Sequence, residues 1–553
     1  MTSPVHATPE TCFRNDVAEV RRRLNPPAML CAFLLLLTIV FFSLIRYRLR
    51  DMPLERDEGE YAYAGQLLAK GIPPYKLAYN MKLPGVYVAY ADIMKVFGET
   101  PGGIHIGLLL LNATTTLLVF FLTARLFGRL AGLAAAASYA LLSTSSSVMG
   151  FQAHATNFVV LPAVLGVFLL LLALRSQRMF LFFASGLFLG IAFLMKQHGM
   201  FFVLFCLVYL GAEFVREKMP FRRVAQYGIY FAIGSALPYG LTCLWLFEAG
   251  VFREFWFWTV TYSAEYSKMG LRRGAHNFFE NFPAVAGPAV PIWIIAAIGL
   301  TALIWSPPAR RQAWFLAGLL FFSFLSLLPG TQFRPHYFVL LLPITAILAG
   351  VAVSAATDRL ARQRSRFLTL VPVLVFLAAG GFALVRQWRF YFSFDPSAAL
   401  RETYKDAPFV EAPKVADYIR EHSGESSRIA VLGSEPEIYF YARRTSATAY
   451  IYMYEFMRPA KYTARMREEM IAQVEATRPE YVVYVATEDS WGVPLEAPLA
   501  ADVFAWVRDY TRTQYEKVGV VEMGEQTRYV WGDEAKTYMP ASSKAVYVFK
   551  RKN

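Results

Sequence analysis

Three acidic residues open the first polar stretch of the chain, and a single lysine closes it. The run Arg56-Asp57-Glu58-Gly59-Glu60-Tyr61 leads on to Lys82-Leu83-Pro84-Gly85. Asp57 opens a predicted helix that runs to Lys70 and stops at Gly71, with Pro73-Pro74 beyond. Asp57 with Glu60 three residues on has the spacing of a capping box, and on that reading Asp57 only caps a helix. The chemical reading is a carboxylate at a membrane–water boundary that takes a proton from an acceptor hydroxyl. Desolvation there would tune its basicity upward. Glu58 is a second catalytic candidate. On a helix it points about 100° away from Asp57, so the two carboxylates need not share a role.

Three cations elsewhere fit the same chemistry. Lys82, Lys196 and Arg334 each read singly as an interface or topology residue. Taken together on one face they read as a clamp for the phosphate of a lipid-linked substrate, since ammonium and guanidinium groups both bind phosphate. Tyr61, Tyr75, Tyr87, His154, Asn157, Gln197 and His336 are candidate substrate contacts around them. Three of the seven histidines, His154, His198 and His336, stand at the ends of apolar runs. With Asp57 and Glu58 they could hold a divalent metal, but no pair has a dedicated metal spacing, so no metal ligand is assigned and a hydrogen-bonding role is preferred.

These residues must be positioned by a membrane body. The 553 residues are 56% hydrophobic and only 17% charged, against about a quarter charged in soluble proteins. Eleven apolar runs are long enough to cross a bilayer. They are Ala28–Ile45, Ile104–Leu122, Leu130–Val148, Phe158–Leu174, Met179–Met195, Met200–Val215, Tyr227–Phe247, Ala284–Trp305, Ala313–Leu328, Tyr337–Ala356 and Leu368–Val385. A count of eleven to thirteen is admitted. Gly85–Phe97 is apolar but short and carries Asp92 and Lys95, so it is expected to lie in the interface. Arg21-Arg22-Arg23 precedes the first run, which has no small-residue cleavage site after it and reads as an uncleaved anchor.

Charge sets the orientation. The net charge of +14 comes largely from Arg and Lys in short loops, which is a topology signal and argues against nucleic-acid binding. With eleven spans and a cytoplasmic N-terminus, every inner loop is basic, including Arg125, Arg175, Arg223, Arg310, Arg359 and Arg364. Asp57, Lys82, His154, Asn157, Lys196, Arg334 and His336 then all face outward. The first outer loop breaks the pattern by also carrying Arg46, Arg48, Arg50 and Arg56, so some of these are expected to hold an anion. The four cysteines, Cys12, Cys31, Cys206 and Cys243, form no disulfide framework or zinc spacing.

After Val385 the composition becomes mixed and charged. Arg428–Leu432, Arg478–Val485 and Lys544–Phe549 read as strands, and Pro436–Arg443 as a helix start. A small α/β domain outside the membrane is expected.

The motifs Asp57-Glu58-Gly-Glu-Tyr-Ala-Tyr63, Lys82-Leu-Pro-Gly-Val-Tyr87, Phe193-Leu-Met-Lys196-Gln197 and Phe333-Arg-Pro-His336-Tyr337-Phe resemble a known superfamily. It is the bacterial dolichyl-phosphate-mannose–protein mannosyltransferase-like group, which includes the aminoarabinose–lipid A transferases. Gly433-Ser-Glu-Pro-Glu-Ile-Tyr439 is similar to a turn in a subset of it. The resemblance implies a polytopic α-helical membrane protein, a GT-C-type helix bundle with a C-terminal soluble α/β domain. It divides the chain into a cytoplasmic tail (1–27), a transmembrane catalytic domain (28–386, with outer loop 46–103) and an extracytoplasmic domain (387–553).

It further implies transfer of a sugar, with inversion, from a polyprenyl-phosphate donor to a protein, lipid or glycan acceptor at the outer face of a bacterial inner membrane. Asp57 would be the catalytic carboxylate and Lys82 would bind the donor phosphate. The family's second acidic residue after the third span is not evident here, and His154 and Asn157 stand in its place. Two rival readings are a transporter of lipid-linked sugars and a non-catalytic envelope scaffold. A transporter should show inverted repeats and broken midplane helices; here the spans lack acidic groups at mid-membrane and the polar groups crowd one face.

Overall fold

A computed structural model describes residues 26–552, apart from 267–270, 364–365, 458–459, 496, 499–500 and 525. The N-terminal tail with Cys12 and Arg21–Arg23 falls outside the described residues, as does Arg364.

Among the described residues, eight helices are long and apolar enough to cross a membrane, from Ala28–Arg48 to Phe367–Arg386, and three shorter apolar helices lie among them: Arg129–Ser143, Met179–Met195 and Ala313–Leu325. Each of the eleven expected apolar runs falls on one of these helices. The chain is a multi-pass membrane protein. Most of Pro335–Ala361 is enclosed by its neighbours, whereas Ala28–Arg48 and Phe367–Arg386 turn most of their surface outward. A helix apolar on all sides is stable in either setting, buried in the bundle or facing lipid.

Between the first two long helices the chain makes two short ones. Arg56–Ala69 carries the acidic motif, and Gly85–Phe97 has the bounds expected for the interfacial segment. They pack through a tyrosine cluster in which Tyr61 lies edge-on to Tyr90, with ring centroids 5.3 Å apart. Gly85 makes this packing close: a Cβ there would sit 2.6 Å from the Leu194 carbonyl oxygen. The Lys82 turn is thereby seated against the end of the Met179–Met195 helix.

The C-terminal part builds a six-stranded sheet in the order β2-β1-β3-β6-β4-β5. The strands are β1 Arg428–Leu432, β2 Thr445–Ser446, β3 Tyr481–Ala486, β4 Tyr515–Glu522, β5 Arg528–Trp531 and β6 Ala545–Arg551. Three of these coincide with the predicted strands. β2, β4 and β5 escape the sequence reading, being either very short or interrupted by Glu, Lys and Gly. β1 pairs in parallel with β2 and β3, and the other neighbours are antiparallel.

The sheet unit does not hang free. Its core is continuous with that of the Arg56–Ala69 helix: Tyr63 packs on Tyr439, and its hydroxyl accepts from the Ser446 amide at 2.8 Å. The closest approach is at Gly59, where a Cβ would fall 2.5 Å from the Glu437 backbone nitrogen. Only a glycine lets the two segments meet at that spacing.

Candidate active site around Asp57

The Arg56–Ala69 helix is capped by Glu55. Its side chain accepts from the Glu58 amide at 2.9 Å, and the Glu58 carboxylate returns to the Glu55 amide. The expected Asp57/Glu60 box is therefore displaced by two residues. The helix starts at Arg56, so Asp57 lies inside the first turn and is not spent on capping.

Asp57 is half-buried at the wall of an open cavity of about 420 Å³ that is also lined by His154, Arg334, His336, Tyr404 and Tyr454. Lys82 Nζ stands 3.3 Å from Asp57 Oδ2 and donates to the Tyr61 hydroxyl at 2.9 Å. His154 Nδ1 is 3.6 Å from the same Asp57 oxygen. Tyr452, from the sheet unit, reaches Asp57 Oδ1 at 3.3 Å and donates to Glu60 Oε2 at 2.9 Å.

These contacts reverse one expectation. Burial by itself would raise the Asp57 carboxyl, but Lys82, His154 and His336 together hold it well below the ordinary carboxylate range. Asp57 is thus a fixed anion rather than a base tuned upward. The raised carboxyls are its neighbours. Burial pushes Glu60 up to about 7, with Lys82 opposing and Asp57 adding to the rise. Burial likewise takes Glu55 up to about 7, against His154.

Glu58 is not brought to the cavity. It is fully buried and holds His105 Nε2 at 2.9 Å and the Ala153 amide at 2.6 Å. These bonds tie the acidic turn to the next long helix and to the loop before His154. Its expected catalytic role gives way to a structural one, because both carboxylate oxygens are occupied away from Asp57.

The three predicted cations do converge. Lys196 is buried, with its ammonium 4.1 Å above the Tyr337 ring. Burial, then the charge of Lys82 and that of Arg334, push the Lys196 ammonium well below the usual lysine value, with Asp57 opposing.

The other candidates divide. Tyr87 donates to Glu60 Oε1 at 2.5 Å, and Tyr75 to the Lys82 carbonyl at 2.6 Å. Gln197 donates to the Met81 carbonyl at 2.7 Å, and Asn157 to the Gln152 carbonyl at 3.1 Å. Tyr75, Gln197 and Asn157 fix the turns that carry Lys82 and His154, and Tyr87 fixes Glu60, so these four position the site rather than line it. His154 and His336 stack with centroids 4.1 Å apart at 19°. His198 points away from Asp57 and donates from Nδ1 to the Ser326 carbonyl at 2.6 Å.

Of the arginines of the first outer loop, Arg56 lines the Asp57 cavity and Arg46, Arg48 and Arg50 do not. Arg46 donates to the Ser143 and Gly150 carbonyls, Arg48 to the Phe394 carbonyl and Arg50 to the Tyr47 carbonyl. Arg56 donates to the Ser434 and Asp489 carbonyls and pairs with Glu435 at 3.5 Å. They bind backbone oxygens because loops over an apolar body leave carbonyls in need of donors.

Asp57, His154 and His336 each offer one ligand atom, all within 4.8 Å of one another. The Nδ1 atoms of both histidines are buried without a hydrogen-bond partner. A divalent ion would fit this set, but it would compete with Lys82 for the same Asp57 oxygen.

Sequence reasoning missed Tyr452, Tyr454 and Tyr404, the aromatic side of the site. The alternation Tyr450-Ile-Tyr452-Met-Tyr454 was the available signal.

Residues 83–239 match the model of a family described as dolichyl-phosphate-mannose-protein mannosyltransferase. No curated protein matches the chain by sequence. Among solved structures, ArnT from Cupriavidus metallidurans, bound to undecaprenyl phosphate, is similar at TM-score 0.59 and 14% identity, over 95% of this chain and 98% of that one. The oligosaccharyltransferase of Archaeoglobus fulgidus is similar at TM-score 0.55 and 14% identity, over 92% of this chain and 75% of that one. The chain therefore shares the fold of these structures, a GT-C-type helix bundle with a C-terminal α/β unit, as the acidic motif and the Lys-x-Pro-Gly turn implied.

Proposed function

We propose that the protein transfers a sugar from a polyprenyl-phosphate donor to an acceptor bound over Asp57, at the outer face of a bacterial inner membrane. The observation that carries this reading is the grouping of three cations around Asp57. Lys82 pairs with Asp57 at 3.3 Å, and Lys196 and Arg334 both feel the Asp57 charge, while burial pushes the neighbouring Glu55 and Glu60 up to about 7. Three cations gathered on one carboxylate favour a phosphate beside it.

In the reaction, an acceptor oxygen forms a bond to the anomeric carbon as the bond from that carbon to the lipid phosphate breaks. The phosphate leaves as an anion held by the cations and needs no proton. Asp57 orients the acceptor and takes its proton late, when the forming bond has made that proton acidic enough for a weak base. Tyr452 and Lys82 hold the two Asp57 oxygens in place for this.

The test is sugar transfer in purified membranes given a panel of labelled polyprenyl-phosphate sugars. Asp57→Asn is expected to abolish transfer. Lys82→Ala is expected to cost about 10²–10³-fold, the usual effect of removing one fixed charge from a reacting anion. Undiminished transfer by both variants would remove the active site from this cavity.

A further inference from the structure

A second cavity lies at the far end of the bundle. Three helices begin beside the candidate site and finish there. Pro101–Phe127 starts near the His105–Glu58 contact, Ala155–Ser176 follows His154, and Met200–Arg216 follows the Lys196–Gly199 turn. Their 27, 22 and 17 residues carry the chain about 25–40 Å from the site at 1.5 Å per residue. The cavity between their ends has a volume of about 490 Å³, within the range of about 300–1,000 Å³ for ligand pockets.

Its charge is one-sided. Arg125, Arg175, Arg216, Lys218 and Arg223 line it, against two acids, Glu213 and Glu217. Both acids bind Arg216, at 2.7 and 3.2 Å. Among the described residues, Arg125, Arg175, Lys218 and Arg223 have no ion-pair partner. Lys218 sits in a tight turn at φ 49°, where the Lys218 and Met219 amides donate to the Val215 and Phe214 carbonyls. That conformation is unfavourable for a residue with a Cβ, yet a lysine occupies it.

The walls beneath the charges are apolar. Leu171, Phe214 and Met219 line the cavity, and the helix that ends at Arg216 exposes Leu204, Leu207 and Val208 along its length. A ligand with an anionic head and hydrocarbon chains matches both parts.

We propose that this cavity binds the phosphate of an anionic phospholipid, with the acyl chains along the exposed face of Met200–Arg216. Topology alone explains basic residues at helix ends. It does not call for a concave site whose acids are both consumed by one arginine. The inference is independent of the transfer reaction, since no residue of the Asp57 site takes part.

Topology needs only charge, whereas phosphate recognition also uses the planar guanidinium fork. The purified protein is therefore compared with the double variant Arg175→Lys/Arg223→Lys, which keeps every charge. Thermal stability and retained lipid, read by native mass spectrometry, are followed with phosphatidylglycerol, phosphatidylcholine or inorganic phosphate. Phosphatidylglycerol is expected to raise the Tm of the wild type and phosphatidylcholine to leave it unchanged. Retention of phosphatidylglycerol by the double variant should drop about five- to tenfold. Arg359→Lys, a residue that lies over the Trp305 ring outside the cavity, should behave as wild type. Equal retention by wild type and double variant would overturn the proposal, as would equal stabilisation by inorganic phosphate. If the double variant misfolds, the single variant Arg125→Lys serves the same comparison.

Discussion

Asp57 shares its surroundings with a carboxylate that behaves in the opposite way. Glu60 accepts from Asn80, Tyr87 and Tyr452 and is pushed up to about 7. A buried acid raised in this way binds more protons folded than unfolded between about 4.5 and 7, so its contribution to stability is lost as pH rises through that window. Ionisation of Glu60 also cancels one positive charge near Lys82. The KM for the lipid-phosphate donor is therefore expected to rise as pH climbs through about 7, and Glu60→Gln should flatten that rise; a parallel profile in the variant would assign the titration elsewhere. The same electrostatics bear on metal dependence. With Lys82 already on the Asp57 oxygen that a metal would need, transfer is expected to persist in EDTA. Loss of activity restored by Mn²⁺ would instead assign Asp57, His154 and His336 as ligands. At this scale the sequence showed which cations could meet, because Lys82, Lys196 and Arg334 all stand at the same ends of apolar runs. It did not show Asp57's low basicity, which depends on distances to Lys82 and His154 that no spacing encodes.

The helix Arg56–Ala69 is the element on which both halves of the molecule meet. Its existence was legible from Gly71 and the prolines beyond, but its first residue was not. Glu55, Asp57 and Glu58 are all competent to cap, and the choice fell to Glu55 because His105 and the Ala153 amide hold Glu58 where it can answer. Gly59 is the contact most sensitive to change. Alanine there would drive its Cβ to 2.5 Å from the Glu437 backbone nitrogen, and neither backbone can yield without moving its whole element. Gly59→Ala is expected to destabilise by at least about 1–3 kcal/mol, the usual cost of overpacking. Limited proteolysis should then cleave the chain beyond Arg386 faster than in wild type. Unchanged proteolysis would mean that the interface relaxes around the methyl group.

At the scale of the molecule, the apolar runs announced the membrane body, since a lipid-spanning helix must be apolar along nearly all its length. The sheet was only half legible. β1, β3 and β6 are continuous apolar strands, whereas β4 and β5 lie towards an edge and mix charge with apolar residues. The sequence was silent on how the sheet unit meets the membrane body, because that contact joins residues hundreds of positions apart. Tyr404 and Tyr454 come from beyond Arg386 and line the Asp57 cavity, and Tyr452, from the same part, donates to Asp57. A protein cut after Arg386 is expected to insert in the membrane but to transfer no sugar. Undiminished transfer by the truncated protein would show that these tyrosines add nothing to the reaction.

The bond from Tyr452 to Glu60 spans 392 positions of the chain. At a synthesis rate of about 5–20 residues per second, Glu60 leaves the ribosome some 20–80 s before Tyr452. Throughout that interval the acidic turn lacks the partner that completes it. On the proposed function, a nascent chain is thus threaded through the membrane beside its own substrates without acting on them until Tyr452 has been added.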